Sequence, residues 1–214
     1  DLETVLNRKI KLMNDANCFT LSESTDGAGE KFLGVFGIII GTGFGGGLSF
    51  QKRIIEGANQ VAGDWGHQPL PYPTEEEKKF KIKCKLNTCG RPLCSEQFLS
   101  GTGFENNFNI KNNTNFKAEE IVKLDLNNDK RAKLELDLYE DRLARVISVM
   151  IGIFDPNAII FGGGMSNIDR LYKNIPKILP KYTFSDRVRN KILKNKHGDS
   201  SGVRGAAWLW NDKL

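Results

Sequence analysis

Bulky apolar residues fall at every second position along two stretches joined by glycines. Phe36, Ile38 and Ile40, then Leu48 and Phe50, keep a period of two, and no helical period runs across residues 41–47. Residues 35–50 therefore predict strand, glycine-rich loop, strand. Without a Cβ, glycines let backbone N–H groups close on an anion, so the loop is a candidate ligand contact. Its letters match G-x-G-x-x-G at Gly41, Gly43 and Gly46, but a dinucleotide site needs a helix next and LSFQKRII reads as strand. A glycine hairpin with no ligand is the plainer alternative.

Elsewhere the pattern alternates between helical and extended stretches. Leu2, Val5, Leu6 and Ile10 predict a short amphipathic helix in residues 1–11, running into a strand-like Ile10 and Leu12. Asn14 and Asp15 precede the helical pattern of Cys18, Phe19 and Leu21, where either is a natural N-cap. Residues 25–31 read as a turn, 72–85 as a charged surface excursion, and 100–128 as weakly patterned with a helix around 118–124. From 133 to 154, Leu138, Leu143, Val146, Ile147, Met150, Ile153 and Phe154 recur at helical spacings and predict a core helix stopped by Asp155-Pro156. Ala158 to Phe161 predict a buried strand. Its closing glycines, Gly162, Gly163 and Gly164, open a second helix, a good place for nucleotide. Pro176 and Pro180 are expected to disrupt that helix. The tail predicts a strand near 188–193 and a helix capped by Ser200 or Ser201. The elements imply an α/β class with a mixed sheet and helices.

A chain of 214 residues with 39% apolar content suffices for one substantial core, or one lobe of a larger molecule. The net charge of +5 comes from lysines mixed with acids, without a basic stripe, so nucleic acid is not an expected partner. The longest apolar run, 32–40, is too short for a bilayer, and the first residues lack a signal-peptide pattern, so no membrane is expected and the cytoplasm is the default location. The opening Asp1 suggests a fragment or a processed piece.

Candidate chemistry gathers in two loops. Asp64, Trp65 and His67 sit in a glycine-flanked, proline-terminated loop, a setting that holds sites more often than cores. Cys84, Cys89 and Cys94 are spaced C-x4-C-x4-C and, with His67, make a Cys3His set suited to tetrahedral zinc, unligated thiols being the alternative. Cys18, among apolar residues, reads as a core thiol.

Six motifs fall in one order: NDANC at 14–18, IGTGFGGG at 40–47, DWGH at 64–67, the cysteine cluster ending in Cys94-Ser95-Glu96, DPNAIIFGGGMS at 155–166 and HGDSSGVRGAA at 197–207. Together they resemble the ROK family of sugar kinases and sugar-responsive repressors, over essentially the whole chain. The wording of GGGMSNIDRLY and HGDSSGVRGAAWLW resembles the fructokinase or manno(fructo)kinase branch more than the N-acetylglucosamine kinases.

The resemblance implies an actin-like, ribonuclease H-like ATPase fold and ATP-dependent phosphorylation of a hexose, fructose or mannose first. An N-acetylglucosamine kinase or glucokinase is the alternative, and a sugar-responsive repressor the alternative of another class. It implies Asp15 as the catalytic base that takes the hydroxyl proton as the γ-phosphoryl leaves ATP. Asn14, Asp64, His67 and Glu96 would contact sugar hydroxyls. Gly41, Thr42 and Gly43 would face the phosphates, and Gly162, Gly163 and Gly164 the adenosine. Mg2+ would accompany ATP, a structural Zn2+ would be held by His67, Cys84, Cys89 and Cys94 in a loop at about 64–96, and the protein would be a homodimer. Three positions depart from the family pattern. Asp64 stands where the family usually shows Glu. Asn87 and Leu93 replace the first cysteine and second glycine of C-x-C-G-x-x-G-C-x-E, and the D-x-G-G-T loop of family kinases is not in this sequence. The chain is therefore expected to be the C-terminal lobe of a two-lobed kinase, poor at phosphate transfer by itself.

Overall fold

A computed structural model describes residues 2–79 and 89–211. The elements in chain order are α1 (Leu2–Leu6), α2 (Asp15–Thr25), β1 (Gly34–Ile40), β2 (Phe44–Phe50), β3 (Arg53–Ile54), α3 (Glu75–Lys79), α4 (Glu96–Leu99), α5 (Gly101–Asn112), α6 (Ala118–Leu126), α7 (Lys130–Phe154), β4 (Ala158–Gly162), α8 (Asp169–Ile178), β5 (Lys191–Lys194) and α9 (Ser201–Trp208). The predicted strand, loop, strand is the β1–β2 hairpin, paired from Gly34 with Phe50 to Ile40 with Phe44. β4 lies parallel to β1 on its other side, and the five strands run β3-β2-β1-β4-β5.

Both faces of this mixed sheet are covered, and period two decides what each strand gives to each face. Phe36, Ile38 and Ile40 of β1, with Ile159 and Phe161 of β4, enter the large core beneath α4–α8. Val35 and Ile160 face the other way onto Phe19 of α2. Helix α2 is buried from Ala16 to Thr25 because α9 covers its outer side, so it has no exposed face there even though Asn17, Thr20, Ser22, Glu23, Ser24 and Thr25 are polar. The approach is close. A Cβ on Gly162 would lie 2.5 Å from the Phe19 ring, and one on Gly205 of α9 would lie 1.7 Å from the Cys18 carbonyl oxygen. Glu23, fully buried in α2, accepts hydrogen bonds from the backbone N–H of Ala28, Lys196 and His197 and from the Ser201 hydroxyl. That carboxylate pins the start of α9 to α2. Cys18 is a core thiol, and burial pushes its pKa up.

Three local expectations fail. Ile10 and Leu12 form no strand, and α1 ends at Leu6 with its apolar residues exposed. Pro176 does not break α8: its ring is on the exposed side, and the helix runs two residues further before tightening into a 3-10 turn at Leu179–Lys181. The charged excursion contains α3, whose Glu77 is buried against α7. It accepts from Arg142 Nε at 2.8 Å and from Arg145 Nη2 at 2.7 Å, and Arg142 also reaches Glu135 at 3.0 Å. Burial raises the Glu77 pKa, but those guanidinium bonds outweigh it and hold the carboxyl at about 2.

Candidate functional site

The first turn of α2 points its exposed residues at the mouth of the β hairpin. Asn14 Oδ1 accepts from the Ala16 N–H at 2.9 Å and caps the helix. Asp15 Oδ1 accepts from the same N–H at 2.8 Å, and its carboxylate stays at the surface of a cavity of about 340 Å³. Asn14, Asp64, His67, Glu96 and Gly41 to Gly45 border the same cavity. Residues up to 82 positions apart in the sequence, Asn14 and Glu96, thus meet in one place. Asn14 and Asp15 thus share the Ala16 N–H, and both are exposed at the cavity.

Asp64, His67 and Glu96 are carried by two segments clasped together. Gln68 and Gly66 carbonyls accept from Ser95 N–H and Glu96 N–H at 2.9 Å each, and Leu70 N–H donates to Leu93 at 2.7 Å. Trp65, stacked on Phe44 at 5.3 Å and edge-on to Phe36 at 4.7 Å, anchors the loop into the core. Glu96 Oε2 accepts from the Phe44 N–H at 3.1 Å, which locks it to the start of β2. Its Oε1 lies 3.9 Å from His67 Nδ1.

His67, Cys89 and Cys94 bring one donor atom each within 4.8 Å of one another, and Cys94 Sγ lies 3.6 Å from His67 Nδ1. Bonds of about 2.3 Å to sulfur and 2.0–2.1 Å to nitrogen put tetrahedral zinc ligands at roughly that separation, so this donor set fits the metal. Burial pushes the Cys94 thiol up to about 11, so it becomes a ligand only when a cation displaces its proton. Cys84, the expected fourth ligand, lies outside the described residues, as does Asn87.

A second cavity, of about 810 Å³, adjoins the first at Gly41 and Thr42. Its walls are α6 with Lys117 on one side and Gly164, Met165, Asn167 and Ile168 on the other, with Gly101, Thr102 and Glu105 of α5 at the base. Of the glycine triplet, only Gly164 borders it. Gly162 is required by Phe19, as above, and Gly163 has φ of +78° with the Ile40 carbonyl 2.5 Å from where a Cβ would sit. Packing alone therefore requires glycine at both positions, whatever their backbone groups contact. Glu105, Lys117 and Lys123 were missed because residues 100–128 carry no periodic signal that marks a wall. A cavity of about 960 Å³ at the opposite end of the sheet, between residues 155–157 and 183–191, holds none of the candidate catalytic, sugar, nucleotide or metal residues, although the 155–166 motif begins there.

Comparison with known proteins follows the same lines. The chain is 39% identical over 209 residues to the N-acetyl-D-glucosamine kinase of Vibrio cholerae, and 40% identical over 213 residues to that of Photobacterium profundum. Each match covers 98% of this chain and 69% of the relative. The fructokinase branch suggested by the wording of two motifs is not the one these relatives carry. Among solved structures, a ROK hexokinase from Thermus thermophilus superposes with a TM-score of 0.83 at 23% identity, over 96% of this chain and 66% of that one. A ROK family glucokinase from Streptomyces griseus, in complex with glucose and AMPPNP, gives 0.81 at 24% identity, over 97% and 70%. A ROK family transcriptional regulator gives 0.79 at 18%, over 97% and 53%. The mixed sheet with helices on both faces is thus the actin-like, ribonuclease H-like ATPase fold. The ROK family profile matches residues 1–213, and the chain belongs to the ROK family.

Proposed function

We propose that this chain carries the acceptor side of an ATP-dependent sugar kinase whose substrate is N-acetyl-D-glucosamine. The observation that supports it most is the shared cavity: Asp15 borders the same space as Asn14, Asp64, His67 and Glu96, and that space meets a larger one at Gly41 and Thr42. A hexose in the smaller cavity would exchange hydrogen bonds with an amide, three carboxylates and an imidazole, and a missing hydroxyl would leave such groups unpaired. Asp15 would accept the proton of the attacking hydroxyl. ATP would supply the phosphoryl group, and Mg2+ on its phosphates would neutralise their charge. Gly41 to Gly43 would lie along the phosphates, and Gly164 with α6 beside the nucleoside. The names of the relatives favour N-acetyl-D-glucosamine over fructose.

His67, Cys89 and Cys94 would hold a structural zinc, which when bound fixes the loop that presents His67 and Glu96. Under this reading the chain is a C-terminal lobe, and a lobe with a D-x-G-G-T loop would supply the opposing wall. Calorimetric titration of the chain with N-acetyl-D-glucosamine, fructose and mannose tests the substrate. The first is expected to bind tightest, and tighter fructose binding would overturn the assignment. Asp15→Asn should keep the sugar affinity and remove phosphoryl transfer from the active enzyme; transfer at the parent rate would remove Asp15 from the mechanism.

A further inference from the structure

Arg170 lies outside both cavities, in the first turn of α8, and holds three helices together. Its Nη1 donates to Asp125 Oδ2 of α6 at 2.8 Å, its Nε to Glu140 Oε1 of α7 at 2.6 Å, and its Nη2 to Asp137 and to Glu140 Oε2, the latter at 3.2 Å. Asn174, one turn along α8, donates to Glu140 Oε2 at 2.9 Å. Three carboxylates on one guanidinium is far more than helix packing requires. The rest of the contact between α6 and α8 is slight, since each packs chiefly on α7.

The two helices joined this way lead to the two walls of the larger cavity. One wall is α6, through Ala118, Val122 and Leu126; the other is the turn at Gly164–Asn167 that runs through Ile168 into Arg170. The Asp125–Arg170 link therefore joins the two helices that lead to those walls. A rigid fork with several aligned donors fixes such a distance better than a single ammonium could.

We propose that Arg170 is a positioning residue for the nucleotide: by tying α6 to α8 across α7 it sets the width of the larger cavity, and so the nucleotide affinity, without touching the ligand. This rests on the kinase reading above. In Arg170→Met the acids of α6 and α7 lose their shared cation and repel, and the α6 wall is released. Calorimetry on the chain with AMPPNP and with N-acetyl-D-glucosamine, at a temperature where parent and variant are fully folded by circular dichroism, separates the effects. The expected result is about a tenfold or greater loss of AMPPNP affinity with sugar affinity within about twofold of the parent, one factor of ten corresponding to 1.4 kcal/mol. Arg170→Lys should recover part of the loss. If Arg170→Met does not fold, Asp125→Asn, which cuts only the α6 arm, should give the same selective loss. Unchanged AMPPNP affinity, or equal loss of both ligands, overturns the inference while leaving the kinase reading intact. A parent that binds neither ligand overturns the kinase reading and this inference with it.

Discussion

Replacing Gly66 with alanine tests whether the cavity is as tightly built as its hydrogen bonds indicate. A Cβ at this position would sit 1.7 Å from the Phe44 carbonyl oxygen and 2.9 Å from its carbon, whereas ordinary contact begins near 3.4 Å. The 63–66 loop and the start of β2 must separate by the difference, about 1.7 Å. Neither side can yield alone. The Gly66 carbonyl accepts from the Glu96 N–H at 2.9 Å and from Cys94 Sγ at 3.4 Å, and the Phe44 N–H donates to Glu96 Oε2 at 3.1 Å. Relief therefore moves Glu96 and His67 relative to Asp15. Displacements of about 1 Å cost roughly 10²-fold in rate, and overpacking costs about 1–3 kcal/mol. Gly66→Ala should lower the melting temperature measured by circular dichroism and weaken N-acetyl-D-glucosamine binding at least about tenfold in calorimetry. Gly152→Ala in α7, where a Cβ meets nothing within 4 Å, is the control and should be neutral or stabilising by up to about 1 kcal/mol. A Gly66→Ala chain with the parent's melting temperature and sugar affinity would refute the account.

Gly205→Ala drives a methyl into the Cys18 carbonyl and should destabilise the α2–α9 contact by about 2 kcal/mol or more in urea unfolding; an unchanged midpoint would contradict the close crossing. Because the folded Glu77 carboxyl is depressed from 4.5 to about 2, its contribution is fully present above its unfolded value and is lost as pH falls toward 2. At about 1.4 kcal/mol per unit the loss approaches about 3 kcal/mol. Glu77→Gln should flatten that part of the acid limb, and a parent equally stable at pH 6 and pH 2.5 would exclude it. Purified chain should carry zinc by mass spectrometry, and Cys89→Ser should lose most of it; equal zinc in both would remove Cys89 from the ligand set.

What could be read from the sequence followed how local its cause was. The hairpin, α7 and the α2 cap announce themselves because alternation, helical spacing and Asn14 act within a few residues. Helix α5 does not: Gly101, Asn106, Asn107 and Asn109 are poor helix formers, and beyond its local Ser100 cap it is held by burial of Phe104 and Phe108, a tertiary effect. Glu77 looked solvated because its partners, Arg142 and Arg145, are more than sixty positions away. For the candidate site, the resemblance supplied Asn14, Asp15, Asp64, His67 and Glu96, and the fold gathers them at one cavity. It also nominated Gly162 and Gly163, whose letters cannot reveal that the Phe19 ring and the Ile40 carbonyl leave no room there for a Cβ.

The Gly41 carbonyl accepts from the Gly101 N–H at 2.7 Å, and Gly41 borders both cavities. A single peptide is therefore the party wall between two compartments. Any rotation imposed on it by an occupant of one compartment is felt in the other, through α5. Linkage then requires that the influence run equally in both directions, so filling either compartment first changes the second dissociation constant by the same factor.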